Sequence, residues 1–548
     1  MQKINRVVIV GGGSAGWMVA AYLKKALGES VAISLIESPN ISTIGVGEAT
    51  FSTIKLFFDF LGLDEKDWMP QCNASYKLAI KFVDWNSQRQ HFYHPFQRYE
   101  IVDGFSLAEW WLKLKKDLEA YDYSCFVVPA LCDQKRSPRY LDGRVFDDKV
   151  EEQFKPENAY RKNVLADLKI QYPYAYHFNA SLLADFLKGY AIRNGVKHTL
   201  DEIVAVELLK DGSIDHILSK ENGALKGDLY IDCTGFQGLL INKALKEPFQ
   251  PFSESLLCDR AVAMQIPRDI ATDGIKPYTT ATALSAGWVW NIPLYGRDGT
   301  GYVYSSQFIN PDDAESEFRK HLGSASDNLN ALHIRMRIGR NRNSWVKNCV
   351  AIGLSSGFVE PLESTGIFFI QHAIEELVAH FPDKSLNEEL LKSYNKAVAE
   401  CIDGVRDFLV LHYYASTRCD TAFWKATNRD LAIPDTLSAR LDSWKSKLPN
   451  GRNINQNYHG FESYSYSVML LGLGYRPEFS LPVLDHFYTQ KARATFRSIK
   501  ERSEYLCSTL PSVYEYLAAM RQNGSLQDRT HGQRHSLLRE HAGQQGGE

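Results

Sequence analysis

The apolar run Arg6-Val7-Val8-Ile9-Val10 meets Gly11-Gly12-Gly13-Ser14-Ala15-Gly16, and apolar residues then recur at helical spacing from Trp17 to Leu27. A strand that turns through glycines straight into a helix admits few folds. Gly11 permits the tight bend, Gly13 lets the backbone approach a pyrophosphate, and Gly16 lets the helix lie close to the strand. Gly12, Ser14 and Ala15 complete a turn whose free N–H groups, at the positive end of the helix dipole, suit phosphate oxygens. The next run, Val31-Ala32-Ile33-Ser34-Leu35-Ile36-Glu37, reads as a buried parallel strand. Its terminal Glu37 stands about twenty residues beyond the glycines, where a carboxylate accepts hydrogen bonds from adenosine ribose hydroxyls. The chain therefore opens as a β-α-β unit of an α/β fold.

The turn alone does not separate NAD from FAD. Two later strand-turn units, Asp228-Leu-Tyr-Ile-Asp-Cys-Thr-Gly-Phe236 and Cys349-Val-Ala-Ile-Gly353, resemble the second and third FAD-contacting segments of glutathione-reductase-like and hydroxylase-like flavoproteins. FAD is favoured, in a Rossmann-type module assembled from distant parts of the chain. A helix is expected from Ala180 to Tyr190 and a strand over Glu202–Val206. No second glycine turn suits a nicotinamide, so reduced flavin would come from a separate NAD(P)H-dependent reductase. Helical spacing dominates later, over Ile367–Phe381, Leu386–Phe408 and Ser503–Gln522. The expected division is a discontinuous FAD-binding module with inserted substrate-site segments over 1–380, a mainly helical substrate cover over 381–522, and a disordered tail over 523–548.

The whole-chain chemistry excludes several classes. The 62 basic and 65 acidic residues are intermixed and leave a net charge of -3, giving no footprint for nucleic acid or an anionic membrane. Nine cysteines form no CxxC pair, which argues against a disulfide framework or a structural zinc site, and no metal ligand is assigned. No apolar run reaches the roughly 18 residues that cross a bilayer. A strand that starts within a few residues of Met1 leaves no room for a signal peptide. A soluble, cytoplasmic protein with reduced thiols is expected.

Six segments in order resemble flavin-dependent tryptophan halogenases: Gly11 to Trp17, Gly45-Val-Gly-Glu-Ala-Thr50, Tyr76-Lys-Leu-Ala-Ile-Lys-Phe82, His91-Phe-Tyr-His-Pro-Phe96, Trp288-Val-Trp-Asn-Ile-Pro293 and Phe358-Val-Glu-Pro-Leu-Glu-Ser-Thr-Gly366. The resemblance covers nearly the whole chain up to about residue 515. It implies halogenation, a reaction of secondary metabolism such as antibiotic biosynthesis. Reduced FAD, O2 and chloride or bromide would yield hypohalous acid that travels through a tunnel to an electron-rich arene. It adds Gly47, Ile203, Leu354 and Ile367 to the flavin contacts, and Thr365 and Gly366 as a halide site of clustered N–H groups.

Lys77 matches the family's essential lysine. Its ammonium could polarise hypohalous acid by a hydrogen bond, or its amine could be halogenated, and the sequence leaves both open. Lys81 would share its face on an unbroken strand, so the choice of Lys77 rests on the resemblance. Glu363 matches the second essential residue, a carboxylate that stabilises the cationic ring and takes its proton. Glu360 is expected to be structural or tunnel-lining, and Ser364 to relay between compartments. Read without the resemblance, residues 360–366 are a helix start with Ser364 and Thr365 as caps. Trp288 and Trp290, on one face of a strand, would keep substrate off the flavin; core packing is the plainer alternative.

By the same resemblance His94 and Phe96 sandwich a flat ring. Phe51, Ser52, Phe461, Glu462, Ser463 and Tyr464 resemble the pocket and lid of the branch acting at indole C5. L-tryptophan is the expected substrate, with free indole or a phenol as the alternative arene, and the sequence is compatible with a homodimer. A non-catalytic flavin binder is the alternative from another class, and a binder has no need of Lys77 and Glu363 facing a tunnel.

Overall fold

The computed structural model describes residues 3–41, 47–86, 91–152, 172–452, 454, 461–477 and 480–523. The expected 523–548 tail, from residue 524 onward, and Gly45 and Val46 of the quoted segments lie outside them.

Among these residues the N-terminal unit forms as the glycines require. Strand Arg6–Val10 is the centre of a six-stranded sheet, flanked in parallel by Ala32–Glu37 and Leu229–Asp232. Lys197–Leu200 extends one side and Cys349–Ala351 the other, both parallel, and Trp345–Val346 closes an edge antiparallel. Helices Ser14–Leu27 and Gly366–Ala379 pack together over one face, with Ala180–Arg193 against the first of them. The four inner strands are the near-continuous apolar runs of a parallel sheet covered on both faces, with Val7, Ile9, Leu35, Leu229 and Ile231 all buried, whereas Lys197–Leu200 at the edge has no buried residue.

The sequence stretch 202–206 falls elsewhere. Ile203–Leu208 belongs to a separate three-stranded antiparallel sheet with Ile214–Ser219 and Gly223–Leu225. Ile203 packs there against an apolar cluster that includes Val8, Val10 and Ile36 of the main sheet.

A seven-stranded sheet forms the second layer. Gly287–Pro293 lies in its middle, Tyr278–Leu284 joins it to Ala79–Val83, and His91–Pro95 is at the edge. The stretch 75–83 is not one strand. Ser75–Lys77 pairs with Ala175–Phe178 in another small sheet, and at Leu78 the chain crosses to the seven-stranded one, with the Leu78 N–H donating to the Pro277 carbonyl. The same-face expectation for Lys77 and Lys81 therefore fails, because the chain changes sheet between them.

Helix Glu388–Tyr414 packs against helix Gly366–Ala379 and strand Trp345–Val346. The expected helix over 503–522 is two, Gln490–Thr509 and Val513–Asn523. Pro511 separates them by holding Leu510 in extended backbone.

Candidate active site

The glycine turn forms a phosphate cradle. Gly11 has φ 109°, and a side chain there would stand 2.3 Å from the Cys233 carbonyl oxygen. Gly16 is pinned in the same way by the Gly11 carbonyl, whereas a Cβ on Gly13 would meet nothing within 4 Å. Open space at Gly13, directly before helix Ser14–Leu27, is what a bound pyrophosphate needs. Glu37 lies against Gly12 and is oriented by Lys188 Nζ at 2.7 Å and His198 Nε2 at 2.8 Å on one oxygen and Trp17 Nε1 at 3.4 Å on the other. Ser14 and Ala15 open the helix, and Ala15 meets Gly353, whose φ of 81° lets the third strand-turn unit pass close by. Leu354 follows in that turn, and Ile367 is buried in the first turn of Gly366–Ala379. Asp232 spends its carboxylate on the backbone of Thr234, Leu240 and Ile241, so it shapes the second unit. Gly47, with φ 94°, sits against Ile292 and Leu294 at the end of the two-tryptophan strand. These features fit a flavin dinucleotide.

Separate from these glycine turns is a buried charged cluster. Lys77 is fully buried, and its Nζ donates to the Thr50 carbonyl at 3.0 Å and to Ser364 Oγ at 2.9 Å. Burial lowers its pKa from 10.5 to about 7, against an opposing pull from Glu363. Lys81 is instead partly exposed near Asp133 and the Tyr93 and Tyr278 rings. Glu363 is 1% exposed and receives His94 Nδ1 at 3.0 and 3.1 Å and His412 Nε2 at 2.8 Å. Burial alone would raise its pKa, but the two imidazoles outweigh that and bring it down to about 2.

The 360–366 turn arranges this. Pro361–Glu363 is a single 3-10 turn, Ser364 takes left-handed backbone at φ 61°, and the helix begins at Gly366 behind Thr365. Ser364 is thereby no helix cap; the kink aims its hydroxyl at Lys77. Thr365 makes no side-chain cap bond, and Gly366 opens onto free space at the helix N-terminus. Glu360 is fully buried with its pKa raised by burial to about 7, and accepts from Trp288 Nε1 at 3.2 Å and from Tyr413. Trp288 and Trp290 stand on one face with ring centroids 6.4 Å apart.

Phe51, Phe96 and Phe461 gather next to this cluster. Phe51 lies 5.7 Å from Phe96 and 5.1 Å from Phe461, and Lys77 Nζ is 5.0 Å from the Phe96 ring centre. Ser52 is buried beside them in sequence. The His94 and Phe461 ring centres are 6.4 Å apart, with the planes tilted by 32°. Ser463 and Tyr464, expected in a lid loop, begin helix Ser463–Leu473, and Tyr464 hydrogen-bonds the Phe96 carbonyl at 3.3 Å. His412 was missed by sequence reasoning. Its one signal is a lone histidine in the apolar run Phe408-Leu-Val-Leu-His412, and a structural histidine gives the same signal.

The tryptophan halogenase family model matches residues 6–489. The chain belongs to that family. A tryptophan 6-halogenase from Streptomyces toxytricini is 52% identical over 525 residues, covering 94% of this chain and 98% of the relative. Its solved structure superposes with a TM-score of 0.89 at 51% identity, over 94% of this chain and all of that one. The tryptophan 7-halogenase of Lentzea aerocolonigenes is 41% identical over 94% of this chain and 98% of its own. A solved tryptophan 5-halogenase structure has a TM-score of 0.79 at 28% identity, over 96% of each chain. Like other flavin-dependent halogenases, this tryptophan halogenase works with FADH2, halide and O2, the reduced flavin coming from a separate reductase. Among the described residues no helix is long and apolar enough to cross a membrane.

Proposed function

We propose that this tryptophan halogenase chlorinates or brominates free L-tryptophan at indole C6, with Lys77 and Glu363 as its catalytic residues. The observation that carries the reading is the buried Lys77–Ser364 and His94–Glu363–His412 cluster set against an aromatic slot. Bound reduced FAD, with O2, supplies the oxidising equivalent that turns halide into hypohalous acid. Lys77, poised near neutrality, supplies both an ammonium and an amine at working pH, so either of its roles is open to it. Glu363 stays ionised, stabilises positive charge on the attacked ring and removes its proton. A weak base suffices, because a ring carbon that has lost aromaticity is strongly acidic. Thr365 and Gly366 offer N–H groups to halide, and Glu360 and Tyr413 fix Trp288 between the two compartments.

The position on the ring follows the relatives. The C5 expectation drew on Phe51, Ser52 and Phe461 to Tyr464, the last part of which begins a helix, and the relatives do not support it: two near half identity are named 6-halogenases, whereas the 5-halogenase structure is 28% identical. The test is proton NMR of the product from tryptophan, FAD, NADH, a flavin reductase and halide. 6-Halotryptophan is expected. A 5- or 7-halotryptophan would overturn the position alone, and halogenated indole with untouched tryptophan would overturn the substrate.

A further inference from the structure

Beside the aromatic slot lies an ion pair between residues 364 apart in sequence. Arg98 Nε donates to the two Glu462 carboxylate oxygens at 2.7 and 2.8 Å, and a second guanidinium nitrogen joins them. The pair adjoins the slot on both sides, since Glu462 follows Phe461 and Arg98 comes two residues after Phe96. Glu462 caps helix Ser463–Leu473 by position but makes no side-chain bond to its N–H groups, so its carboxylate is committed outward to Arg98. Tyr99 and Ser463, the next residues on each side, are 3.3 Å apart through their hydroxyls and hold the two segments in register.

We infer that Arg98 recognises the α-carboxylate of the substrate. This rests on the amino-acid substrate proposed above. When the indole enters the slot, Glu462 exchanges the Arg98 guanidinium for the α-ammonium, and Arg98 exchanges Glu462 for the α-carboxylate. No net charge is buried or exposed, and each charge-assisted hydrogen bond that opens is replaced by another. The planar Arg98 fork matches a carboxylate in two parallel bonds. Arg98 is 49% exposed, and an ion pair so open to water holds weakly, so it yields readily to a ligand bearing both charges. Free indole offers neither charge and leaves the pair shut. Arg98 thereby selects an amino acid over the bare ring.

The test is titration calorimetry of wild type, Arg98→Gln and Arg98→Lys with tryptophan, indole-3-propionate, tryptamine and indole, beside tryptophan turnover. Arg98→Gln is expected to weaken tryptophan and indole-3-propionate roughly tenfold to a hundredfold, the scale of a lost hydrogen bond to a charged group. Indole should bind as to wild type, and tryptamine no more weakly, since Arg98→Gln frees Glu462 for its ammonium. Arg98→Lys should recover part of the tryptophan loss. Equal weakening of all four ligands, or unchanged tryptophan binding, would overturn the assignment. A wild type that binds tryptophan but halogenates only indole would sink the proposed substrate and leave the carboxylate contact to be judged by the same titrations.

Discussion

Lys77→Met should stabilise the protein at neutral pH while abolishing halogenation. Lys77 is fully buried and its pKa falls from 10.5 to about 7. Between those pH values the unfolded chain holds one more proton than the folded one, so stability rises with pH across that window. The lysine's destabilisation is complete below about pH 7 and gone above about pH 10.5. At about 1.4 kcal/mol for each pH unit between the two pKa values, it amounts to roughly 4 kcal/mol at pH 7 and roughly 2 at pH 9. Methionine forfeits the bonds to Thr50 and Ser364, at about 1 kcal/mol each, leaving a net gain of roughly 2 kcal/mol at pH 7 and about none at pH 9. With an unfolding entropy of about 2.1 cal/mol/K per residue, that is a Tm rise of roughly 2 °C at pH 7 for a chain of this length. Calorimetric scans of both proteins at pH 7, 8 and 9 measure it. A Tm difference that does not shrink as pH rises would refute a buried lysine with a depressed pKa.

Glu363→Gln should cut single-turnover halogenation by roughly 10²-fold or more, the scale of a lost positioned base, with tryptophan affinity little changed by calorimetry; a normal rate with weakened binding would make Glu363 a binding residue. Gly13→Ala should fold like wild type but lose FAD affinity, since its Cβ meets only the space proposed for phosphate, whereas Gly11→Ala should yield little folded protein because its Cβ stands 2.3 Å from the Cys233 carbonyl oxygen. Flavin fluorescence titration and circular dichroism separate these, and wild-type FAD affinity in Gly13→Ala would move the pyrophosphate elsewhere.

What the sequence disclosed depended on how far apart the interacting residues lie. Strand, glycine turn, helix and Glu37 are a local pattern, and Gly16 is held by the Gly11 carbonyl within it, whereas Gly11 is held by Cys233 from the second unit. Pro511 was equally local and divides a helix that apolar spacing had run together. The change of sheet at Leu78 depends on the Pro277 carbonyl, two hundred residues away, so the strand pattern carried no trace of it. The same is true at the active site. Lys77 and Glu363 were identified through the family resemblance, but Ser364 turns toward Lys77 only because its backbone is left-handed, and His412 reaches Glu363 from a separate helix. The Arg98–Glu462 pair joins two segments whose spacing in sequence carries no periodic signal.

On this account the transfer of oxidised halogen to tryptophan requires Lys77. The most direct test of that requirement is a single-turnover reaction of wild type and Lys77→Met, each loaded with reduced FAD, mixed with oxygen, chloride and tryptophan, with flavin oxidation followed optically and product by mass spectrometry. Wild type is predicted to give monochlorotryptophan with the chlorine isotope pattern, and Lys77→Met to oxidise its flavin while leaving tryptophan unchanged. Monochlorotryptophan formed by Lys77→Met at the wild-type rate would contradict the account.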